Sequence, residues 1–241
     1  MKSLISFLPR LAKYLSKPFI FWAKNKVLYI PYRKDFDPTV VPWNWDLNYN
    51  RVAIVNLLVS KFKNPKYLEI GCDKNELFSA VAANLKNGVD PKQGGNIRKT
   101  SDDFFAENQE FFDVIFIDGL HTYEQCRKDV VNSLKFSKVG SWIALHDLLP
   151  NSWVEQHVPP VRTGGAWTGD VWKVAFELLE TEGILFKILE IDHGVGVFKV
   201  LSPNVVLKDR FTELSNQTYS YFYSNHKILP IIGYKEFQSI L

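Results

Sequence analysis

The chain has 241 residues, 46% of them apolar and 15% aromatic, enough for one sizeable buried core in a single α/β unit. Two cysteines, Cys72 and Cys126, without a CxxC partner exclude a disulfide framework and a thiolate metal site, and fit a reducing, cytoplasmic setting. No apolar run approaches the roughly 18 residues of a membrane span, and a net charge of +3 leaves no strongly basic domain for nucleic acid.

Charge is spread unevenly. Residues 1–34 hold Lys2, Arg10, Lys13, Lys17, Lys24, Lys26, Arg33 and Lys34 and no acid, so the rest of the chain is net acidic. Leu4, Leu8, Leu11, Leu15, Phe19 and Trp22 recur at spacings of three and four, a helical apolar stripe that Pro9 and Pro18 divide into short pieces. Pro9 and Arg10 interrupt the apolar start too early for a signal peptide. Residues 1–47 therefore read as a basic amphipathic arm and linker. The arm packs on its own domain, on a partner subunit of a homo-oligomer, or peripherally on an anionic membrane.

Strand and helix signals then alternate. Ile54, Val55, Leu58, Val59 and Phe62 predict an amphipathic helix, ended by "KNP" at 63–65. "KYLEIG" (66–71) predicts a strand, and "NELFSAVAANL" (75–85) a helix capped by Asn75. "GVD" (88–90) and "NIRKT" (96–100) predict short strands, with a short helix from Ser101. "FFDVIFID" (111–118) predicts a central strand, and Thr122 with Gln125 a capping box for the next helix. "SWIALHD" (141–147) predicts a strand, 148–169 a long loop, and "DVWKVAFELLE" (170–180) a helix. "ILFKILEI" (184–191) and "GVGVFKVL" (194–201) predict a strand pair around "DHG". The tail, 202–241, is an aromatic-rich C-terminal extension without a clear pattern.

Such alternation predicts an α/β fold: a Rossmann-like, mostly parallel seven-stranded sheet with helices on both faces and an antiparallel final strand. Ligands of these sheets bind outside the carboxyl ends of the strands. Those ends are polar or acidic nearly throughout: Glu69 to Asp73, Asp90, Thr100 to Asp102, Asp118 to His121, and His146 to Asp147.

A dinucleotide would require a glycine-rich turn to cradle its pyrophosphate. The turn here, "EIGCDKNE", has one glycine and then Asp73 and Glu76, which repel phosphate. Asp90 follows Gly71 at about the spacing at which a carboxylate takes ribose hydroxyls. The edge thus suits a phosphate-free nucleoside with a positive charge, and S-adenosylmethionine (SAM) meets both demands. Simpler roles exist: Asp73 as a helix cap, Asp90 as a turn former before Pro91, Ser101 as an N-cap, and Asp102 as a partner of the helix dipole.

"YLEIGCDKNELF", "GVDPKQGG", "KTSDDFF", "FDVIFIDGLHTYEQCRKDVVNSL", "GSWIALHDLLP" and "GAWTGDVWK" together resemble the class I SAM-dependent methyltransferases. The likeness is to the small-molecule and sugar O-methyltransferase group called methyltransferase family 24, over residues 48–200 of a domain spanning 48–201. It implies that Glu69 and Gly71 line the methionine end of the cofactor, Asp90 holds the ribose, and Ser101 and Asp102 sit at the adenine. Two departures stand out. The glycine-rich turn is reduced to Gly71, leaving the role of Asp73 in the cofactor site open. A Gly94–Gly95 turn replaces the usual helix between Asp90 and Ile97.

Methyl transfer to a hydroxyl requires loss of its proton, to a general base or with help from a metal. Asp118 and Asp147 end adjacent predicted strands, about 5 Å apart, and can share Mg²⁺, with Asp118 also bordering the cofactor. His121, His146 and Asp147 are the catalytic candidates. Arg162 and Trp167 on the 148–169 loop are candidates for an acidic or ring-shaped acceptor, a small molecule or glycan. The expected activity is SAM-dependent O-methylation of a sugar, glycan or small metabolite. The alternatives are an inactive SAM-fold scaffold or an N-methyltransferase.

Overall fold

The structure, a computed structural model, describes residues 30–161 and 165–241. Nearly all of the basic arm, and Arg162 of the predicted substrate loop, lie outside them. Helix α1 (Arg51–Val59) starts where the side chain of Asn50 accepts from the amides of Val52 and Ala53. Strand β1 (Lys66–Ile70) follows, then α2 (Glu76–Ala80), β2 (Leu85–Val89), α3 (Ser101–Glu107), β3 (Phe112–Ile117), α4 (Tyr123–Lys135) and β4 (Ser137–Leu145). A short turn of helix, α5 (Trp153–Gln156), interrupts the long loop before α6 (Lys173–Leu179). The chain ends with β5 (Ile184–Leu189), β6 (Val195–Val200), α7 (Phe211–Leu214), α8 (Tyr219–Asn225), β7 (Ile231–Ile232) and α9 (Tyr234–Ser239).

The sheet runs β2-β1-β3-β4-β6-β5-β7. The β2–β1, β1–β3, β3–β4 and β5–β7 pairs are parallel, and β6 lies antiparallel between β4 and β5. This is the expected mostly parallel seven-stranded sheet; its antiparallel strand is β6, and the strand that follows it, β7, comes from the tail and runs parallel to β5. Alternate residues of each strand face opposite sides, and both faces are buried. Leu68, Ile115, Ile143 and Phe198 meet α3, α4, α6 and α8 on one face. Tyr67, Val114, Trp142 and Val197 meet α1 and α9 on the other. The tail thus contributes core residues, Tyr219, Phe222 and Phe237, which its sequence pattern did not show.

Four local expectations are corrected. The helix predicted over 75–85 stops at Ala80, and Asn75 makes no side-chain cap bond. The side chain of Asn56 donates to Ala80 O and accepts from Ala82 N, taking over the hydrogen bonds a further turn would make, while Leu85 pairs with Lys66 in the sheet. The strand predicted at 96–100 is a single parallel bridge between Ile97 and Val89, tied to β2 through the Gly94–Gly95 turn. Gly95 there has φ +63°, and a Cβ would lie 2.2 Å from the carbonyl oxygen of Gly88. Helix α3 is capped by Thr100, which accepts from Asp103 N, and Ser101 is its first residue, not its cap. The capping box at 122–125 is half made: Thr122 accepts from Gln125 N, but the Gln125 amide reaches Ser101, Asp102 and Asp129 instead of returning to the cap.

Candidate active site

The carboxyl ends of β1, β2, β3 and β4 open into one cleft of about 870 Å³. At its β1 end, Gly71 adopts φ +84°, and a Cβ there would lie 2.0 Å from Asp118 O, so only glycine lets β1 and β3 leave the sheet this close. Beneath it, Glu69 is buried and accepts a 2.6 Å hydrogen bond from the Tyr67 hydroxyl. Burial, reinforced by nearby Asp118 and opposed by that hydrogen bond, raises the Glu69 carboxyl to about 7.

Asp90 forms part of the cleft wall, at the end of β2. One of its oxygens accepts from the amides of Cys72 and Asp73, and the other from those of Lys92 and Gln93. Burial opposes ionisation, but the four amides outweigh it and hold the carboxyl below its usual range. All the acceptor positions of a carboxylate are then in use. Asp90 fixes the two loops of the cleft wall, and a ribose hydroxyl would share an oxygen already bonded. Asp73, at φ +40°, accepts from the Gln93 amide across the same wall. Ser101 and Asp102 line the far end of the cleft and are linked by Gln125, which also reaches buried Asp129.

The acidic end is denser. Asp118 N and His146 N extend the ladder one residue past β3 and β4, bonding Ile70 O and Ile117 O. Asp147 then turns at φ +65°, a conformation that Asp tolerates better than most residues. This brings the two strand-end carboxylates onto both histidines. His121 Nε2 lies 3.3 Å from Asp118 Oδ1, and its Nδ1 lies 3.0 Å from Asp147 Oδ2. His146 Nδ1 lies 2.9 Å from Asp147 Oδ1 and 3.5 Å from Asp118 Oδ1.

Two residues that sequence reasoning missed complete the group. Asp192, in the turn between β5 and β6, lies 3.5 Å from His146 Nε2. Arg51, the first residue of α1, bridges Asp192 (2.9 Å) and Asp118 (2.5 Å). The usable signal was topological. A strand antiparallel to β4 places its preceding hairpin turn at the carboxyl edge, so "DHG" belongs with the other strand ends. His193 of that turn also lines the cleft.

His146 is 6% exposed, and neither ring nitrogen makes an aligned hydrogen bond despite three carboxylates within ion-pair range. Burial opposes its charge, but Asp118 and Asp147 outweigh burial and raise it well above the usual imidazole range. Burial would likewise raise Asp118, yet His146 and His121 hold it well below the usual carboxylate range. Asp192 is lowered in the same way, against burial, by His146 and Arg51. His121 is raised despite burial, through Asp118 and Asp147.

Donor atoms of Asp118, His121 and Asp147 all lie within 4.8 Å of one another. The Asp118 and Asp147 carboxylates suit a divalent cation such as Mg²⁺ or Mn²⁺, with the His121 imidazole left beside it, so the residues present fit the expected metal. Trp167 stacks on His121 with ring centroids 5.2 Å apart, placing the predicted substrate loop at the cleft mouth. Trp153 of the same loop is core.

Residues 57–148 match the family model described as a methyltransferase domain. No curated protein matches the chain in sequence. Among solved structures, an O-methyltransferase from Bacillus cereus in complex with S-adenosylhomocysteine (SAH) is similar, at 16% identity and TM-score 0.46, covering 81% of this chain and 97% of its own. The SAH-bound Podospora anserina methyltransferase PaMTH1 is similar at 15% identity and TM-score 0.43, covering 82% and 96%. The MycE methyltransferase of mycinamycin biosynthesis, in complex with Mg, SAH and mycinamycin VI, is similar at 12% identity and TM-score 0.40, covering 61% of this chain and 48% of its own.

Proposed function

We propose, from the methyltransferase domain that residues 57–148 constitute, that the chain methylates a hydroxyl group of a small molecule, sugar or glycan. The methyl donor is SAM. The observation that carries the oxygen acceptor is the meeting of Asp118, His121 and Asp147 beside the cleft. SAM occupies the cleft with its methionine end over Gly71 and Glu69 and its adenine towards Ser101 and Asp102, so that the sulfonium faces the strand-end carboxylates.

Asp118 and Asp147 are the residues that would hold a divalent cation. When bound there, the cation lowers the pKa of an acceptor hydroxyl. His121 takes the hydroxyl proton at Nε2. The acceptor oxygen then forms a bond to the methyl carbon as the carbon–sulfur bond breaks, and SAH leaves. His146, at the buried floor among three carboxylates, offsets the charge of Asp118 and Asp147 instead of meeting the acceptor. Trp167 offers a ring face to a sugar or flat acceptor.

The catalytic unit proposed is residues 48–201, with the 202–241 tail completing its sheet and core through β7, Phe222 and Phe237. Among the described residues no helix is long and apolar enough to cross a membrane. The free thiols Cys72 and Cys126 are both buried and fit a cytoplasmic enzyme. The arm over 1–34 adds a peripheral contact to anionic lipid. Transfer of labelled methyl from SAM to a panel of monosaccharides, nucleotide sugars and phenols tests the reading. Label on oxygen supports it, and label on nitrogen alone would replace it with the N-methyltransferase reading.

A further inference from the structure

Arg51 lines the cleft beside the strand-end carboxylates and takes no part in the proton removal proposed for His121. Its side chain is 32% exposed on the cleft wall, yet it is committed to two acids of the site. Nη1 lies 2.5 Å from Asp118 Oδ2, and both Nε and the backbone amide bond Asp192 Oδ2, at 2.9 and 3.1 Å. The other oxygen of Asp118, Oδ1, is the one that faces His121 and His146. Asp118 is thus divided between a guanidinium on one oxygen and the candidate cation position on the other. Asp192 holds Arg51 in place by two bonds and draws off part of its charge.

We propose that Arg51 is a positioning residue that limits the grip of the site on a divalent cation. By occupying Asp118 Oδ2 it confines Asp118 to one-oxygen ligation, and its charge opposes a second cation a few ångströms away. The ion is then held weakly enough to leave ligand positions for acceptor oxygens and to exchange between turnovers. Asp192 tunes this from the β5–β6 turn. With Asp192 present, Arg51 is shared between two acids. Without it, the full guanidinium charge rests on Asp118. The inference rests on the cation reading of Asp118 and Asp147.

The two residues therefore act in opposite directions on one measurement. Mn²⁺ binding to the intact protein, followed by calorimetry and by water-proton relaxation, should tighten on the order of tenfold in Arg51→Met. It should return towards the wild-type value in Arg51→Lys and weaken several-fold in Asp192→Asn. Circular dichroism reports whether each variant is folded. A purely structural Arg51 would give the reverse sign, because a disordered Asp118 binds Mn²⁺ less well. Equal affinity in wild type and Arg51→Met overturns the proposal and leaves the cation site standing. No Mn²⁺ binding by either protein overturns both.

Discussion

His121 Nδ1 lies 3.0 Å from the carbonyl oxygen of Trp167. A carbonyl only accepts, so Nδ1 carries a hydrogen, and the nitrogen left for chemistry is Nε2. Nε2 faces Asp118 Oδ1 at 3.3 Å. The loop carrying Trp167 is itself seated on this segment. Gly169, at φ +63°, brings its backbone so close to His121 that a Cβ would meet the His121 carbonyl oxygen. The tautomer of His121 is therefore written into the fold.

A pH profile follows from this arrangement. In the role proposed for it as base, His121 would work only after losing its proton, and its pKa is raised by Asp118 and Asp147 against the effect of burial. Turnover should rise with pH through a value above the ordinary imidazole pKa of about 6.5. Added Mg²⁺ should move that rise to lower pH, because the cation opposes the proton at Nε2. His121→Ala should lose on the order of 10²–10⁴-fold in kcat with SAH affinity nearly unchanged. A profile unaffected by His121→Ala would remove the histidine from the chemistry.

Cation removal gives a second, separable outcome. Chelator should abolish turnover and leave SAH binding within about twofold, since the cofactor position proposed, over Gly71, Glu69 and the 90–102 wall, is apart from the cation. Asp147→Asn should reproduce the chelated enzyme and resist rescue by excess Mg²⁺. Full turnover in chelator would assign proton removal to His121 without a metal.

Much of the acidic end was legible in the sequence because Asp118 and Asp147 interrupt apolar runs, where a buried strand has no reason to end on a charge. Arg51 and Asp192 were not legible. Each fits a bland local role, a helix start and a turn; the β4–β6–β5 pairing brings the Asp192 turn to the edge, and the packing of α1 brings Arg51 to meet it. The helix read over 75–85 failed for a related reason. Leu77, Phe78, Val81, Ala82 and Leu85 keep helical spacing, but Asn56 from α1 and the β1 edge compete for the same backbone groups. Asp90 sits where its position in the chain placed it, yet four backbone amides converge on it, a feature visible only once the loops close.

Glu69 makes stability pH-dependent with a definite sign. Its carboxyl is near 7 in the fold and lower in the unfolded chain, so the unfolded state releases the proton first. Its contribution is complete below the unfolded pKa of about 4.3 and is lost as pH rises through about 7. Thermal unfolding should show Tm declining across that window, and Glu69→Gln should flatten the decline. An unchanged slope in Glu69→Gln would place the dependence on other groups.

Gly71→Ala tests the crossing of β1 and β3. The added methyl meets Asp118 O and Gly119 Cα, both backbone atoms, in a left-handed conformation. Destabilisation of at least ~2 kcal/mol is expected, from strain at positive φ together with displaced backbone. Denaturant unfolding measures it, and a wild-type midpoint would mean that the two strand ends separate freely.

Calorimetric titration of the purified protein with SAH addresses the cofactor itself. Saturable binding in the micromolar range is expected, weakened by Asp102→Ala at the adenine end and indifferent to chelator. No heat with SAH, under conditions where NAD binds, would contradict a SAM site in this cleft.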